Sequence, residues 1–327
     1  MKKPSETSVI EYDRVGTSEV LHSRIRPLKP AGRGEVTIEV IVTGISHIDG
    51  FIRSGKEESW ADVPFPRRSG SDFAGIVVDS ADKAFPRGCE VVGHVRSGAH
   101  ATYITVPVTS IVRKPNRLGW EAAGGLFLSG ATALDVLDEL RIGAGDTVVV
   151  SAAAGGVGSI EAQVAKYRGA TVIGTCGDRN FDYLRQIGIT PVKYGEGIAD
   201  RIRALAPKGV TAFIDNFGQD GHLLAAELGV PMSRYRSSAD RREIELKLLL
   251  DDPASVEHGT RQLEVLVGLA EKQAFHLLVS GYYALSEVAV AYADLDKLHS
   301  RGKIVLGTHP VSNTRHLKAR DVADARN

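Results

Sequence analysis

A glycine-rich turn near the middle of the chain has the residue types and spacing of a phosphate-binding site. The β-branched run at 148–150 predicts a short buried strand, and Ala154-Gly155-Gly156-Val157-Gly158 follows it. Ile160 and Val164 then repeat at the spacing of an amphipathic helix. A strand, a glycine turn and a helix in this order present backbone N–H groups and a helix N-terminus to a pyrophosphate. We therefore predict a dinucleotide site at this turn, with an ordinary tight turn as the alternative.

The elements around this turn alternate between strands and helices. The predicted strands lie at 148–150, 171–175, 191–193 and 212–215. The predicted helices lie at 179–187, 198–206, 222–228 and 257–272. Such alternation is the signature of a parallel sheet with helices on both faces. The expected fold class is therefore α/β, with a doubly wound Rossmann sheet.

The segments on either side of this region follow a different pattern. The first third is rich in short strands, predicted at 35–40, 74–78, 89–93 and 101–107, and is typical of a compact barrel-like domain. Helix-prone stretches follow at 121–124 and 133–140. The C-terminal part predicts a strand at 275–279, a helix at 286–299 and a strand at 303–306. From Ser312 onward the sequence is polar, and we expect it to lie outside the core.

Composition argues against several classes of partner. The 327 residues include 40 basic and 40 acidic side chains, so there is no basic excess for nucleic acid and no polybasic membrane patch. Cys89 and Cys176 lie far apart, which argues against a disulfide framework and favours a reduced, cytoplasmic protein. No signal peptide is visible in the sequence, and no apolar run is long enough to predict a membrane span.

Motifs spread along the chain resemble the medium-chain dehydrogenase/reductase superfamily, and within it the zinc-independent quinone oxidoreductase branch that includes zeta-crystallin. Besides the glycine turn, they are Gly44-Ile45-Ser46-His47-Ile48-Asp49, Gly70-Ser71-Asp72-Phe73-Ala74-Gly75-Ile76-Val77, Leu128-Ser129-Gly130-Ala131-Thr132-Ala133-Leu134, Asp215-Asn216-Phe217-Gly218 and Arg301-Gly302-Lys303-Ile304-Val305-Leu306. The resemblance implies a Rossmann domain, at 125–273, inserted in a discontinuous GroES-like catalytic domain. The catalytic domain would comprise 1–124 and the C-terminal return at 274–327. It also implies a homodimer, a prediction for which the residues themselves give no evidence.

The resemblance also bears on metal binding. Zinc-dependent relatives carry ligands where this chain has Ser46 and Ser71, and a third ligand near Gly125. Serine is a poor zinc ligand and glycine has no side chain, so we predict that there is no metal site. His47 remains as a potential ligand, but one histidine cannot form a site.

By the same resemblance, a hydride passes from NADP(H) to a small electrophile, either a quinone or an α,β-unsaturated carbonyl or enoyl compound. The hydroxyls of Ser46 and Thr132 would lie near the nicotinamide as hydrogen-bond donors, and Asp49 would brace the early turn. The alternative is that Thr132 caps its helix and Ser46 only stabilises a turn. Asn216 with Phe217, and Lys303, would line the cofactor site. The competing function is a non-catalytic NADP(H)-binding redox sensor or an RNA-associating zeta-crystallin-like protein.

The choice between NADPH and NADH is decided after the second Rossmann strand. NAD enzymes place an acidic residue there, whereas this chain has the neutral pair Cys176-Gly177. Arg179 offers a planar fork to a 2′-phosphate, and Tyr194 stands where the branch often has a tyrosine beside the adenosine ribose. The sequence therefore favours NADP(H). Asp178 leaves alternatives open, because it could repel the phosphate, accept from a ribose hydroxyl and favour NAD, or cap a helix.

Overall fold

The computed structural model describes residues 3–308 except 220 and 299. The predicted polar tail from Ser312 therefore lies outside the described residues. The contacts divide the chain into two compact units. Unit 1 contains the described residues of Met1–Leu128, Lys247–Glu271 and Leu278–Asn327, and unit 2 contains those of Ser129–Leu246 and Lys272–Leu277. The segment Lys247–Glu271, which we assigned to the Rossmann domain, thus groups with unit 1, and the predicted functional boundaries stay predictions.

Unit 1 is built mainly from antiparallel strands. A three-stranded sheet contains β1 (Glu6–Tyr12), β2 (His22–Pro27) and β4 (Arg67–Arg68). A seven-stranded sheet contains β3 (Glu35–Gly44), β5 (Asp72–Ser80), β6 (Glu90–His94), β7 (Tyr103–Pro107), β8 (Ile111–Arg113), β14 (Val279–Ala284) and β15 (Lys303–Gly307). The alternating apolar side chains of β3 are buried in the core between its neighbours, as their period of two predicts. The C-terminal strand β15 pairs antiparallel with β3, and so completes a sheet that begins near the N-terminus.

Four α-helices accompany these sheets in the described part of unit 1. They are α1 (His47–Arg53), α2 (Trp120–Gly124), α9 (Pro253–Glu271) and α10 (Val288–Leu295). Gly44 and Gly124 allow α2 to lie directly against β3. A Cβ at Gly44 would be 2.9 Å from the Cα of Gly125, and one at Gly124 would be 2.7 Å from the carbonyl carbon of Val42. This close approach puts α1, α2 and β15 around the same buried region of unit 1.

Unit 2 is a parallel sheet with helices. Its strands are β9 (Thr147–Val150), β10 (Thr171–Cys176), β11 (Thr190–Lys193), β12 (Ala212–Ile214) and β13 (Tyr235–Arg236). Its helices are the greater part of α3 (Phe127–Glu139) and α8 (Ser238–Leu248), with α4 (Gly156–Tyr167), α5 (Phe181–Gln186), α6 (Ile198–Leu205) and α7 (Gly221–Glu227). The spatial order β11-β10-β9-β12-β13 reverses direction between β9 and β12. In doubly wound sheets, ligands bind at the carboxyl ends of the strands at this reversal. The predicted parallel pairing of 148–150 with 171–175 is confirmed.

One predicted strand is wrong. The segment 275–278 is irregular, and the strand begins only at Val279. The side chain of Gln163 takes up the backbone hydrogen bonds of this segment, because its Nε2 donates to His276 O at 3.1 Å and its Oε1 accepts from His276 N–H at 2.9 Å. The backbone of His276 is therefore held by a side chain of α4 rather than by a neighbouring strand.

No helix in the described ranges is long and apolar enough to cross a membrane.

Candidate functional site

The glycine turn between β9 and α4 is shaped by close backbone contact. Ala152 adopts a left-handed conformation with φ +48°, which brings its carbonyl oxygen under the helix. A Cβ at Gly158 would lie 2.6 Å from this oxygen, so only glycine lets α4 pack here. A Cβ at Gly155 would lie 3.2 Å from the same oxygen, a milder clash than at Gly158. The first N–H groups of α4 have no intrahelical acceptors, so the turn fits a pyrophosphate.

A hydrogen-bond network joins the carboxyl ends of β9 and β12. Ser151 Oγ donates to Asp215 Oδ1 at 2.8 Å, and it accepts from the N–H groups of Asn216 at 2.8 Å and Phe217 at 3.1 Å. Asp215 Oδ1 also accepts from Gly218 N–H at 3.0 Å. The backbone that carries Asn216 and Phe217 is therefore fixed beside the glycine turn. The Phe217 ring remains 57% exposed.

A buried carboxyl group that the sequence reasoning missed contacts Asn216. Glu161 lies on α4 and is fully buried, and its Oε2 accepts from Asn216 Nδ2. Burial raises the pKa of Glu161 from 4.5 to about 7, against the opposing effects of the Asn216 hydrogen bond and the charge of Arg241. The sequence feature that could have predicted the burial of Glu161 is its position in the apolar stripe of α4, between Val157 and Val164.

The far end of the proposed cofactor site is formed where β10 and β11 end. Cys176 is paired in register with Lys193. Tyr194 is 62% exposed, and its hydroxyl oxygen would lie 3.4 Å from a Cβ at Gly177. The structure thus brings together Cys176, Gly177 and Tyr194, three of the residues predicted for the adenosine end.

Asp178 forms an ion pair at this end of the sheet. Its Oδ2 lies 2.6 Å from Lys193 Nζ, and both side chains are exposed. Asp178 is the first residue of a short 3-10 helix, Asp178–Asn180, which also contains Arg179. The proposed helix cap is therefore wrong, because Gly177 occupies the capping position. Lys193, which we did not predict, is the second cation here, and its place before Tyr194 at a strand end was the available signal.

A second group of predicted residues lies within unit 1. Ser46 precedes α1, and its N–H donates to Asp49 Oδ2 at 2.9 Å, as expected of a residue that braces this turn. Lys303 Nζ donates to Ser46 Oγ at 2.8 Å and to Ile45 O at 2.8 Å, and the Lys303 side chain is buried. Tyr292 Oη also donates to Asp49 Oδ2, at 2.9 Å. Because Ser46 Oγ accepts from the ammonium group, its own O–H is left to donate.

Two carboxyl groups lie within electrostatic reach of Lys303. Burial raises the pKa of Asp49 and of Asp72, and the positive charge of Lys303 opposes both shifts. Asp72 Oδ1 accepts from Ser71 Oγ at 2.8 Å, and its Oδ2 accepts from Leu128 N–H at 3.2 Å. Lys303 therefore stabilises the charged forms of Asp72, which is buried, and of Asp49, which is partly exposed.

The three positions that bear zinc ligands in zinc-dependent relatives are occupied differently here. Ser46 binds the ammonium group of Lys303, and Ser71 binds Asp72. A Cβ at Gly125 would lie 3.4 Å from Lys303 Cε, so the lysine side chain passes over this glycine. Among the described residues, no three His, Cys, Asp or Glu side chains are grouped in a way that could hold a metal ion.

Thr132 is fully buried inside α3, the sixth residue of that helix. The alternative that Thr132 caps its helix is therefore wrong.

A small open pocket lies beside Asp49 in unit 1. Its lining includes Tyr12, Trp60, Arg68 and Arg96. The Arg96 guanidinium lies 4.6 Å from the centre of the Trp60 ring. This arrangement gives the pocket an aromatic wall with positive charge beside it.

The chain is similar to proteins of known class. Residues 32–116 match the alcohol dehydrogenase GroES-like domain. The chain is 26% identical, over 319 residues, to a chloroplast envelope quinone oxidoreductase homolog from Arabidopsis thaliana, which covers 89% of this chain and 94% of the relative. It is 32% identical, over 199 residues, to prostaglandin reductase 1 from Mus musculus, which covers 58% of each. A mycobacterial protein solved with NADPH has a TM-score of 0.73 and 26% identity, and the match covers 92% of this chain and 99% of that chain.

The chain belongs to the medium-chain dehydrogenase/reductase superfamily. It falls in the quinone oxidoreductase and zeta-crystallin-like branch, as its motifs predicted, and it is an oxidoreductase by family. The α/β fold class is also confirmed, with a parallel Rossmann-like sheet and a GroES-like domain.

Proposed function

We propose that this medium-chain dehydrogenase/reductase is a zinc-independent, NADPH-dependent reductase of quinones or of α,β-unsaturated carbonyl or enoyl compounds. The observation that carries the proposal is the contact between Lys303 Nζ and Ser46 Oγ, which is 2.8 Å long and partly buried. It puts a fixed cation at a position where zinc-dependent relatives use a metal ligand. Preorganised donors of this kind stabilise negative charge that develops on a substrate oxygen.

The residues at the carboxyl edge of the unit 2 sheet fit a nicotinamide dinucleotide. The pyrophosphate would be held by Ala154-Gly155-Gly156-Val157-Gly158, where the lack of a side chain at Gly155 admits a close approach. The adenosine end would be held by Cys176, Gly177, Arg179 and Tyr194, and the other end by Asn216 and Phe217. Asn216 Oδ1 is buried and has no hydrogen-bond partner, which supports a ligand there.

When bound, the nicotinamide supplies the hydride. Ser46 is proposed to donate its O–H to the substrate oxygen that gains negative charge, and Lys303 holds Ser46 in place. Asp49 fixes the start of α1 through its hydrogen bond from Ser46 N–H, so we propose a positioning role for Asp49. Lys303, which we predicted as a cofactor contact, is proposed to act through Ser46 instead. Thr132 remains a predicted second donor.

The decisive assay offers a panel of quinones, enones and enoyl thioesters to the protein, with NADPH and NADH compared for each. Oxidation of NADPH by any of these acceptors supports the proposal, and the preferred acceptor identifies the substrate class. Binding of NADPH without turnover of any acceptor would favour the redox-sensor alternative. The homodimer and the cytoplasmic location stay predictions, and sedimentation at micromolar concentration tests the first.

Zinc independence gives a prediction of its own. Protein prepared without chelators is expected to contain far less than one zinc per chain, because the ammonium group of Lys303 repels a divalent cation at Ser46. Elemental analysis measures this content. Activity should also be unchanged after incubation with a zinc chelator. Stoichiometric zinc that survives dialysis, with activity that falls on its removal, would contradict the proposal.

Cofactor preference gives another prediction. Arg179→Ala should weaken NADPH relative to NADH by about ten- to a hundredfold, since a hydrogen bond between charged groups contributes about 1.5–3 kcal/mol. Lys193→Ala should act in the same direction. Asp178→Ser should favour NADPH, because it releases Lys193 from its ion pair.

The ratio of kcat/KM for the two cofactors measures each effect. Arg185→Ala is the matched control, since Arg185 is exposed on α5 and pairs with Asp182. Equal losses for NADPH and NADH in Arg179→Ala would show that Arg179 does not recognise the 2′-phosphate. A wild-type preference for NADH would mean that Asp178 fills the acidic role.

A further inference from the structure

The contact between Glu161 and Asn216 is the feature of unit 2 that the proposed function leaves without a role. Glu161 is fully buried inside a Rossmann helix, where an apolar side chain would cost nothing to desolvate. One of its oxygens, Oε1, has no hydrogen-bond partner. A carboxyl group retained under these conditions needs a reason.

The surroundings of Asn216 fix which way its side-chain amide faces. Nδ2 donates to two acceptors, Ser151 O at 3.2 Å and Glu161 Oε2. A carbonyl oxygen and a carboxylate can only accept, so Nδ2 must face them while Glu161 is ionised. The opposite amide atom, Oδ1, is then left as a buried acceptor without a partner. It belongs to the second residue after β12, at the reversal of strand order where a cofactor would bind.

We propose that Glu161 is a positioning residue that holds the Asn216 amide so that Oδ1 accepts a hydrogen bond from the bound nicotinamide cofactor. This inference rests on the proposed function. The carboxamide of nicotinamide carries N–H donors, which is the chemistry that an acceptor such as Oδ1 would recognise. Glu161 touches neither cofactor nor substrate in this scheme and acts only through Asn216.

Protonation of Glu161 weakens this arrangement. A protonated carboxyl can donate to Oδ1, so the Asn216 amide can turn over, although it then gives up the contact with Ser151 O. The charged groups that act on Glu161 are Arg241 and Glu245, both on α8, where Arg241 Nη1 lies 3.5 Å from Glu245 Oε1. Cofactor affinity is therefore expected to depend on pH in the range where Glu161 titrates, near 7.

The test compares wild-type protein with Glu161→Gln, whose amide mimics the protonated acid. The dissociation constant of NADPH is measured by its fluorescence between about pH 5.5 and 8.5. The ratio of the variant's constant to that of the wild type cancels the ionisation of NADPH itself. This ratio should rise from near one at low pH to about tenfold at high pH, the effect of losing one well-oriented hydrogen bond.

Two further variants sharpen the result. Glu161→Leu keeps the side-chain volume but removes the contact with Asn216. At every pH, its affinity for NADPH should therefore be lower than that of the wild type at high pH. Glu245→Gln removes a neighbouring like charge and should keep the pH-dependent step, moved to lower pH. A pH-dependent step in NADPH affinity that persists unchanged in Glu161→Gln would overturn the inference.

A readout without cofactor separates a positioning role from a purely structural one. Since the pKa of Glu161 rises from 4.5 to about 7 on folding, the wild type should lose stability as pH rises through this range, by a few hundredfold in the unfolding constant. Glu161→Gln should not. If stability behaves in this way but the NADPH ratio stays flat, Glu161 is only structural and the inference fails. If wild-type protein binds no NADPH at any pH, the proposed function fails first.

Discussion

Replacing Lys303 with methionine is expected to lower the free energy of unfolding by about 3–5 kcal/mol at neutral pH. Lys303 is only 4% exposed, and its positive charge opposes the rise in pKa that burial causes at Asp49 and Asp72. Methionine keeps most of the side-chain volume, so the loss reports the missing charge rather than a cavity. Chemical denaturation followed by circular dichroism measures the change.

The effect of pH provides the check on this explanation. Without Lys303, the pKa of both acids rises further above the ordinary aspartate value of 3.8, so the deficit should grow as pH rises and shrink towards pH 5. Asp72→Asn in the Lys303→Met background should restore part of the stability. Lys297→Met is the matched control, because Lys297 is 50% exposed in its pair with Asp294, and it should change stability by less than about 1 kcal/mol. A deficit that does not vary with pH would rule out an electrostatic cause.

The second large expected effect distinguishes the roles of Gly155 and Gly158, two glycines of the same turn. Gly155→Val should weaken NADPH by about a hundredfold or more while the fold is kept, because a side chain there displaces the pyrophosphate from at least two N–H donors worth about 1.5–3 kcal/mol each. The backbone at Gly155, with φ −79° and ψ 179°, is one that any residue can adopt. Isothermal titration with NADPH measures the loss.

Gly158→Ala is the contrasting variant. Its Cβ would meet Ala152 O at 2.6 Å, and because this oxygen is a backbone atom that cannot rotate aside, α4 must move away from the turn. We expect a loss of about 1–3 kcal/mol in stability as well as weaker binding. Equal stability for the two variants would show that α4 does not depend on close packing at Gly158. Unchanged NADPH affinity in Gly155→Val would refute the assigned pyrophosphate site.

Local sequence patterns predicted those elements whose periodicity or turn residues lie within the element itself. The alternation in β3 and the β-branched run of β9 gave both strands, and the glycine turn gave the switch between β9 and α4. These features depend on neighbours close in sequence, where period and turn chemistry act directly. The error at 275–278 has the opposite origin, since Gln163 satisfies that backbone from a helix more than a hundred residues earlier.

The chemistry of individual side chains was harder to predict for the same reason. The hydrogen bond from Lys303 to Ser46, which lies 257 residues away in sequence, was not predicted. Glu161 looked like an ordinary polar position because its burial is set by α8 and by the end of β12. Lys193 became relevant only when parallel pairing placed it beside Cys176. No pattern within a short window contains these partners.

The return of the chain to unit 1 has a consequence for its synthesis. Translation proceeds at about 5–20 residues per second, so a ribosome needs roughly 10–50 s to pass from Ser46 to Lys303. During that interval, the nascent chain carries β3 without its partner β15, and Asp49 and Asp72 without their cation. The five strands of the parallel sheet are all made before β15 emerges, so unit 2 is expected to acquire protease resistance first, on stalled chains that end before residue 303.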